Sequence, residues 1–402
     1  MSYIPEIPYG AYWSTPFTKW QGSLAHCHSI ELAAHVAKLE LEKRNILPAD
    51  FDHGVLGTTV PQKSVFYGTP WLMSMLGANQ ATGPMIGQAC ATGIRSVSNA
   101  VQEISAGLAT CSLVVTADRC SNGAHLYYPN PTAPGGTGDH EDWVMDNFNC
   151  DPVGRHAMIN TAENVAKKHD ISTTQQHDVV LMRQEQYAMA LSKDHAFQKR
   201  YMTLPFDIPT ANFKKTRGQL SRDEGVVQSS AEGLQKLRPV LPEGTVTFGG
   251  QTHPADGNAG MIVTTPEKAR EMSSDNNVRI RLLGFGSARV ELAHMPEATV
   301  PAAKQALAQA GVAIKEIDAV KSHNPFAVND ILFSKQTGVA LEQMNNYGCS
   351  LIWGHPQGPT ALRSLIELIE ELTLRGGGKG LFQGCAAGDS AMAVVVSVEV
   401  SD

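Results

Sequence analysis

Nowhere in the 402 residues is there an apolar run long enough to cross a bilayer. The opening segment, Met1-Ser2-Tyr3-Ile4-Pro5, has neither a basic n-region nor an apolar h-region. A membrane span and a secretory leader are therefore not expected, and the chain reads as cytoplasmic. An excess of positive charge is also missing: 32 Lys and Arg stand against 39 Asp and Glu, a net charge of −7. That balance argues against non-specific nucleic-acid binding, while a local basic pocket for a phosphorylated cofactor stays open. The seven cysteines, Cys27, Cys90, Cys111, Cys120, Cys150, Cys349 and Cys385, form no regular framework, which favours reduced thiols. No CxxC pair accompanies His26-Cys27-His28, and alternate residues diverge on a helix, so no metal site is expected.

What the chain does contain is an alternation of helix-like and strand-like patterns, which favours an α/β architecture of about two or three domains. Residues 29–44 read as an amphipathic helix with Ile30, Leu32, Ala33, Val36, Leu39 and Leu41 on its apolar side. Val55-Leu56-Gly57 reads as a short strand. Ile94, Val97, Val101, Ile104 and Leu108 recur at helical spacing, and 112–117 follows as a β-branched run of strand length. The C-terminal part repeats that order. Leu362, Leu365, Ile366, Ile369 and Leu372 mark a helix ended by Gly376-Gly377-Gly378, a strand runs through 380–383, and 391–400 closes the chain. Both helices carry Arg-Ser at the same stage, Arg95-Ser96 and Arg363-Ser364, which is compatible with two similar halves.

Between the halves, roughly 121–244, the pattern changes. Residues 129–138 are loop chemistry, 157–168 read as a helix, and Ser172 with Gln175 forms a capping box into a long helix through Met189. An insertion of this kind commonly shapes a substrate pocket.

Two cysteines sit beside helix-entry patterns, Cys90 in Gly87-Gln88-Ala89-Cys90-Ala91-Thr92-Gly93 and Cys385 in Gly384-Cys385-Ala386-Ala387-Gly388. A thiol at a helix N-terminus is expected to have a lowered pKa, although a free cysteine is more commonly a buried structural residue. His355, between Gly354 and Pro356, lies at a turn from which it can reach a pocket as a base; a structural histidine is an equal reading. His323 is placed similarly, in a loop after the strand-like 317–320. The small residues after Cys385 leave backbone N–H groups open to an oxyanion. One thiol to hold an acyl group, one to move a proton at carbon and a histidine between them suit carbon–carbon bond chemistry on thioesters.

On these residues the chain resembles the thiolase family nearly end to end. Thr15-Pro16-Phe17-Thr18-Lys19-Trp20-Gln21-Gly22-Ser23-Leu24 is similar to the family's TPFG-[RK]-x-x-GSL opening, and Cys90-Ala91-Thr92-Gly93 to its C-x-SG nucleophile motif. Thr161-Ala162-Glu163-Asn164-Val165-Ala166 matches TAENVA, Leu234 to Pro239 with Gly244-Thr245-Val246-Thr247 matches LxKLRP…GTVT, and Gly354-His355-Pro356 with Gly358 matches GHPxG. Cys385 falls at the C-x-G position. The resemblance implies a thiolase fold, two similar αβα halves in five layers (αβαβα) with an inserted loop domain. The N-terminal half would comprise 1–120 plus 245–270, the loop domain 121–244 and the C-terminal half 271–402.

The implied roles are Cys90 as nucleophile, His355 as its base, Cys385 as the acid/base at carbon, and His323 in an oxyanion hole, directly or through a water. Thr252, Ala387 and Gly388 would contact coenzyme A, which is a substrate; no permanent cofactor or metal is implied. The resemblance implies a homo-oligomer and, as in some divergent members, leaves room for a small zinc-ribbon/OB-fold partner subunit. Departures from the family pattern fall mainly on the acyl and CoA contacts. Asn324 replaces a carboxylate, Thr252 a serine and Val226 an arginine; His156 is one residue out of register; Asp389 adds a charge after Cys385. They point to an unusual acyl group, and Trp143, Met145 and Phe148 are candidates to line a bulky or aromatic pocket. A decarboxylating ketoacyl synthase is disfavoured because Cys385 stands where those enzymes carry His or Asn. The reading from another class is a non-catalytic acyl-CoA-binding subunit of a larger complex.

Overall fold

The computed structural model describes residues 4–401; Met1, Ser2 and Tyr3, part of the segment read for a leader, lie outside them. The first half comprises β1 (Glu6–Ile7), β2 (Tyr12–Ser14), α1 (Ser29–Lys43), β3 (His53–Gly57), α2 (Gly68–Leu76), α3 (Thr92–Ser105) and β4 (Cys111–Arg119). After the insertion, which contains α4 (Met158–Lys168) and α5 (Thr173–His195), β5 (Ala255–Thr264) completes the first half's strands. The second half runs β6 (Val278–Arg289), α6 (Thr299–Ala310), β7 (Ala319–His323), α7 (Ala327–Thr337), α8 (Gln357–Leu374), β8 (Gly377–Ala386) and β9 (Ser390–Val400).

The strand pairings show the duplication. In the first half β3 runs parallel to β4, β4 antiparallel to β5, and β5 antiparallel to β2. In the second, β7 runs parallel to β8, β8 antiparallel to β9, and β9 antiparallel to β6. The short β1 pairs with both β5 and β6 and joins the two sets of strands. Helices α3 and α8 pack on each other and touch strands of both halves, while α1 covers one outer face and α6 the other. The central helices thus form the middle layer of an αβαβα stack.

Burial follows from that position. Ile94, Val97, Ala100 and Ile104 of α3 are buried, as are Leu362, Leu365, Ile366, Ile369 and Leu372 of α8. Each of the valine, leucine and isoleucine side chains among them contributes about 1.5–3 kcal/mol on leaving water. Leu39 and Leu108, expected on apolar faces, are 53% and 77% exposed. Leu108 lies past the end of α3 and Leu39 on the outer side of α1, so each follows the sequence period but not a packed neighbour. The glycine run does not wholly end α8 either, since Gly377 and Gly378 already pair in β8.

Because α8 is enclosed on every side, its charged residues are buried too, and each is partnered. Arg363 makes two bonds to Asp223, at 2.6 and 2.9 Å, and one to Glu367 at 3.0 Å, between the rings of Phe17 and Trp353. Lys321 closes on Glu367 at 2.9 Å. Asp223 also takes the Phe17 N–H at 2.8 Å and the Tyr187 hydroxyl at 2.9 Å, tying the insertion to the central layer. Among the described residues no helix is long and apolar enough to cross a membrane.

Candidate active site

Cys90 lies in the turn leading into α3. Thr92 holds that turn, taking the Gln88 N–H at 2.7 Å and donating its hydroxyl to the Ala89 carbonyl at 2.7 Å. Helices α3 and α8 then meet backbone to backbone. A Cβ on Gly93 would stand 2.7 Å from the Gly358 carbonyl oxygen and 2.8 Å from Leu362 N, so glycine is what permits the approach. The approach carries the start of α8, with His355 just ahead of it, onto Cys90. Gly354 has φ 95°, and a Cβ there would strike His253 Nε2 at 2.7 Å. Buried Asp118 on β4 clamps the same region, accepting from the N–H groups of Thr59 and Gly358, both at 2.7 Å.

His355 Nε2 is 3.1 Å from Cys90 Sγ, and its Nδ1 is 2.7 Å from Thr360 Oγ1. The Thr360 hydroxyl donates its one hydrogen to the Pro356 carbonyl at 2.6 Å. It can therefore only accept from His355, which puts the ring hydrogen on Nδ1 and the Nε2 lone pair toward the thiol. His323 stacks on His355 with ring centroids 4.0 Å apart. The same counting applies to it. Ser350 Oγ donates to Asn324 Oδ1 at 3.1 Å and receives the Asn324 N–H at 3.1 Å, so His323 Nδ1, at 2.9 Å, is the donor. His323 Nε2 is then an acceptor, buried and without a partner among the described residues.

Cys90 Sγ and the ligand nitrogens of His323 and His355 lie within 4.8 Å of one another, a spacing that invites a metal reading. The stacking opposes it. Imidazoles coordinate along in-plane lone pairs, and rings stacked with 25° between their planes direct those lone pairs side by side rather than at one point.

Burial dominates the electrostatics. The Cys90 thiol is pushed up to about 12 by burial, against the lowering effect of the Ala387 N–H and its own N–H. This reverses the expected helix-entry effect: desolvation of a thiolate costs more here than two backbone donors return. Burial, then the proximity of Cys90, push Cys385 up as well. Burial, followed by His253, holds His355 down at about 3, and His323 is held well below its ordinary range by burial and His355. The resting site is therefore two thiols and two neutral imidazoles.

The thiol of Cys90 opens into a cavity of about 720 Å³ whose walls include Trp143, Met145, Phe148, Met158, Phe248, Met295, Phe326, Thr252 and Ala387. Trp143 is fixed by its Nε1–H on the Thr59 carbonyl at 2.8 Å. Cys385, fully buried near the end of β8, receives a hydrogen bond from Asn329 Nδ2 at 3.2 Å. Thr252 donates to the Ser350 carbonyl at 2.5 Å while lining the cavity. Gly388, Val226 and His156 are not on its walls. Gly388 belongs to the turn between β8 and β9, where its carbonyl accepts from Arg289 at 3.1 Å. Asp389 turns away from the thiols, accepting from the N–H groups of Ala293 and His294, both at 3.0 Å. The sequence reading passed over Thr360, Ser350, Asn329, Asp118 and Asp223. Only Thr360 carried a local signal, a hydroxyl one helical turn after the Gly-His-Pro entry.

A thiol 3.1 Å from the unprotonated nitrogen of a buried imidazole, with a second thiol acting on it, in the middle of a duplicated αβαβα stack, suits an acyl-transferring enzyme. Residues 11–267 match the thiolase N-terminal domain and 276–398 the thiolase C-terminal domain, so the chain belongs to the thiolase family. Members are acyltransferases that carry out CoA-dependent thiolysis or Claisen condensation, with CoA as substrate and no permanent cofactor. The acetyl-CoA acetyltransferase of Escherichia coli (strain K12) is 28% identical over 390 residues, covering 95% of this chain and 96% of that protein. The mitochondrial 3-ketoacyl-CoA thiolase of Pongo abelii is 27% identical over 390 residues, with 95% and 96% covered. The crystal structure of human mitochondrial 3-ketoacyl-CoA thiolase superposes with a TM-score of 0.88 at 25% identity, covering 98% of this chain and 99% of that one.

Proposed function

We propose that this thiolase cleaves, or in reverse forms, a 3-ketoacyl-CoA with a bulky acyl group through an acyl thioester on Cys90. The observation that carries the reading is the 3.1 Å contact between Cys90 Sγ and a His355 Nε2 whose lone pair is fixed by Thr360. In thiolysis His355 takes the Cys90 proton and the sulfur attacks the keto carbon. The C–C bond breaks, its electron pair leaves as the acetyl-CoA enolate, and Cys385 protonates that carbon. Cys385 then takes the proton of incoming CoA, whose sulfur attacks the Cys90 thioester; acyl-CoA leaves and His355 returns the proton to Cys90. With its hydrogen on Nδ1, His323 reaches the oxyanion by accepting from a water that donates onward. The Ala387 N–H, already directed at Cys90 Sγ, serves the thioester oxygen.

The acyl size rests on the cavity walls, where Trp143, Met145 and Phe148 come from the insertion and Phe248 and Met295 from elsewhere. We assign 121–244 to the loop domain, which supplies much of that wall, between halves formed by 1–120 with 245–270 and by 271–402. The reading includes a homo-oligomer, as is usual for thiolases, and admits a small zinc-ribbon/OB-fold subunit. The test is intact and peptide mass spectrometry after mixing with linear, branched and aromatic 3-ketoacyl-CoAs. An adduct on Cys90 is expected, at highest occupancy with the bulky members. A folded protein that forms no adduct, alone or with co-purified subunits, would return the non-catalytic acyl-CoA-binding role.

A further inference from the structure

Asn329 lies in the first turn of α7, 1% exposed, a short loop after His323, which ends β7 rather than standing in the loop expected from sequence. Its Nδ2 is 3.2 Å from Cys385 Sγ, and its Oδ1 is buried with no partner among the described residues. Buried amides are ordinarily pinned at both ends. Nearby Asn324 is: its Nδ2 donates to Asp330 at 2.7 Å, and its Oδ1 accepts from Ser350 at 3.1 Å and Leu351 at 3.2 Å. Among the described residues the side-chain amide of Asn329 has one partner, the sulfur of Cys385.

The acid/base thiol needs a partner in two states, one that donates S–H and one that accepts as S⁻. An amide turned about its last torsion exchanges a donor for an acceptor at the same place. For Asn329 that turn gives up no other hydrogen bond, because Oδ1 has none to lose.

We propose that Asn329 is the positioning residue of Cys385, holding Nδ2 on the sulfur of the resting thiol, tightening that bond when the sulfur becomes a thiolate, and leaving Oδ1 free to turn in and take the S–H. The inference rests on the thiolase reading of Cys385. In the condensing direction the Cys385 thiolate removes an α-proton from acetyl-CoA; the C–H electron pair stays on the enolate and an S–H bond forms. The titratable groups acting on Cys385 are Cys90, from the turn before α3, and Asp389, from the turn after β8, and both oppose its charge. Stacked His323 and His355 beside Cys90 are neutral, so the amide is the side-chain donor that favours the thiolate.

The test follows α-hydrogen exchange of acetyl-CoA in D₂O by mass spectrometry from about pH 6 to 10, for the parent and for Asn329→Leu and Asn329→Asp. Alkylation of Cys90 by iodoacetamide, whose iodide leaves without a proton and so does not call on Cys385, is followed alongside by peptide mass spectrometry. Loss of a hydrogen bond to a charged group is expected to slow exchange roughly 10- to 100-fold in Asn329→Leu, with alkylation of Cys90 within about threefold of the parent. Asn329→Asp, which keeps the shape but adds negative charge, should displace the exchange curve further to alkaline pH. It also carries the test where the leucine variant does not fold. Parental exchange in either folded variant, or an equal fall in exchange and Cys90 alkylation with no displacement along pH, would overturn the proposal. A parent that exchanges no hydrogen would overturn the thiolase reading of Cys385 itself, which the two variants do not enter.

Discussion

Thr360→Val removes one hydroxyl from the site and leaves the side chain's branching in place. That hydroxyl accepts the His355 Nδ1–H at 2.7 Å while its own hydrogen is held by Pro356 at 2.6 Å. In the variant a buried N–H loses its acceptor, at a cost of about 1–3 kcal/mol. The ring can relieve that cost by moving its hydrogen to Nε2, which then faces the thiol with no lone pair, or by leaving its place against His323. Either escape depopulates the base, so Cys90 acylation should slow by roughly 5- to 150-fold, with a similar 1–3 kcal/mol lost from stability. Rapid quench followed by intact mass measures the first, and urea unfolding at fixed protein concentration the second. Thr360→Ser keeps the acceptor and should acylate within about threefold of the parent. A folded Thr360→Val that acylates at the parental rate would refute the tautomer argument.

Three further outcomes are expected. Cys385→Ala should abolish α-hydrogen exchange of acetyl-CoA while a mass adduct still forms on Cys90; parental turnover of a 3-ketoacyl-CoA by this variant would remove Cys385 from the mechanism. Asp223→Asn leaves Arg363 buried with half its counter-charge gone and should cost about 3–5 kcal/mol in urea unfolding, whereas a loss below about 1 kcal/mol would show the network to be dispensable. His355, at about 3 in the folded protein against ~6.5 unfolded, is protonated first in the unfolded chain. Its share of stability is therefore full above about pH 6.5 and lost as pH falls toward 3, at about 1.4 kcal/mol per pH unit. Subtracting the pH slope of His355→Gln from that of the parent isolates this share, and equal slopes would contradict it.

Much of the site could be read from the chain because its chemistry is written in local motifs. Cys90 and His355 are each flanked by glycines that the backbone requires, Gly93 for the contact of α3 with α8 and Gly354 for the turn. Cys385 stands one residue before the end of β8 and is followed by the small residues Ala386, Ala387 and Gly388. Asn329 and Ser350 carried no such signal, since an asparagine in a helix and a serine before an apolar run are ordinary until their partners are known. The electrostatics misled for a related reason. Helix entry is a local property and burial is not, and burial set the Cys90 thiol at about 12.

The sequence alone determined the α/β class and the repeated order of elements, because periodicity is a property of short segments, while the αβαβα layering and the candidate reacting groups followed from its resemblance to thiolase motifs. Tertiary structure decided which of those groups meet. It set Thr360 behind His355 and Ser350 behind His323, and so fixed which ring nitrogen carries each hydrogen. It turned Asp389 toward the backbone of Ala293 and His294 and away from the thiols. It also enclosed α8 so completely that Arg363, Glu367 and Glu370 are buried and must find partners far along the chain, such as Tyr12 for Glu370, 358 residues away, and Asp223 for Arg363, 140 residues away. Desolvation and, apart from the Thr360 contact within the turn into α8, hydrogen-bond direction depend on atoms brought together from distant parts of the chain.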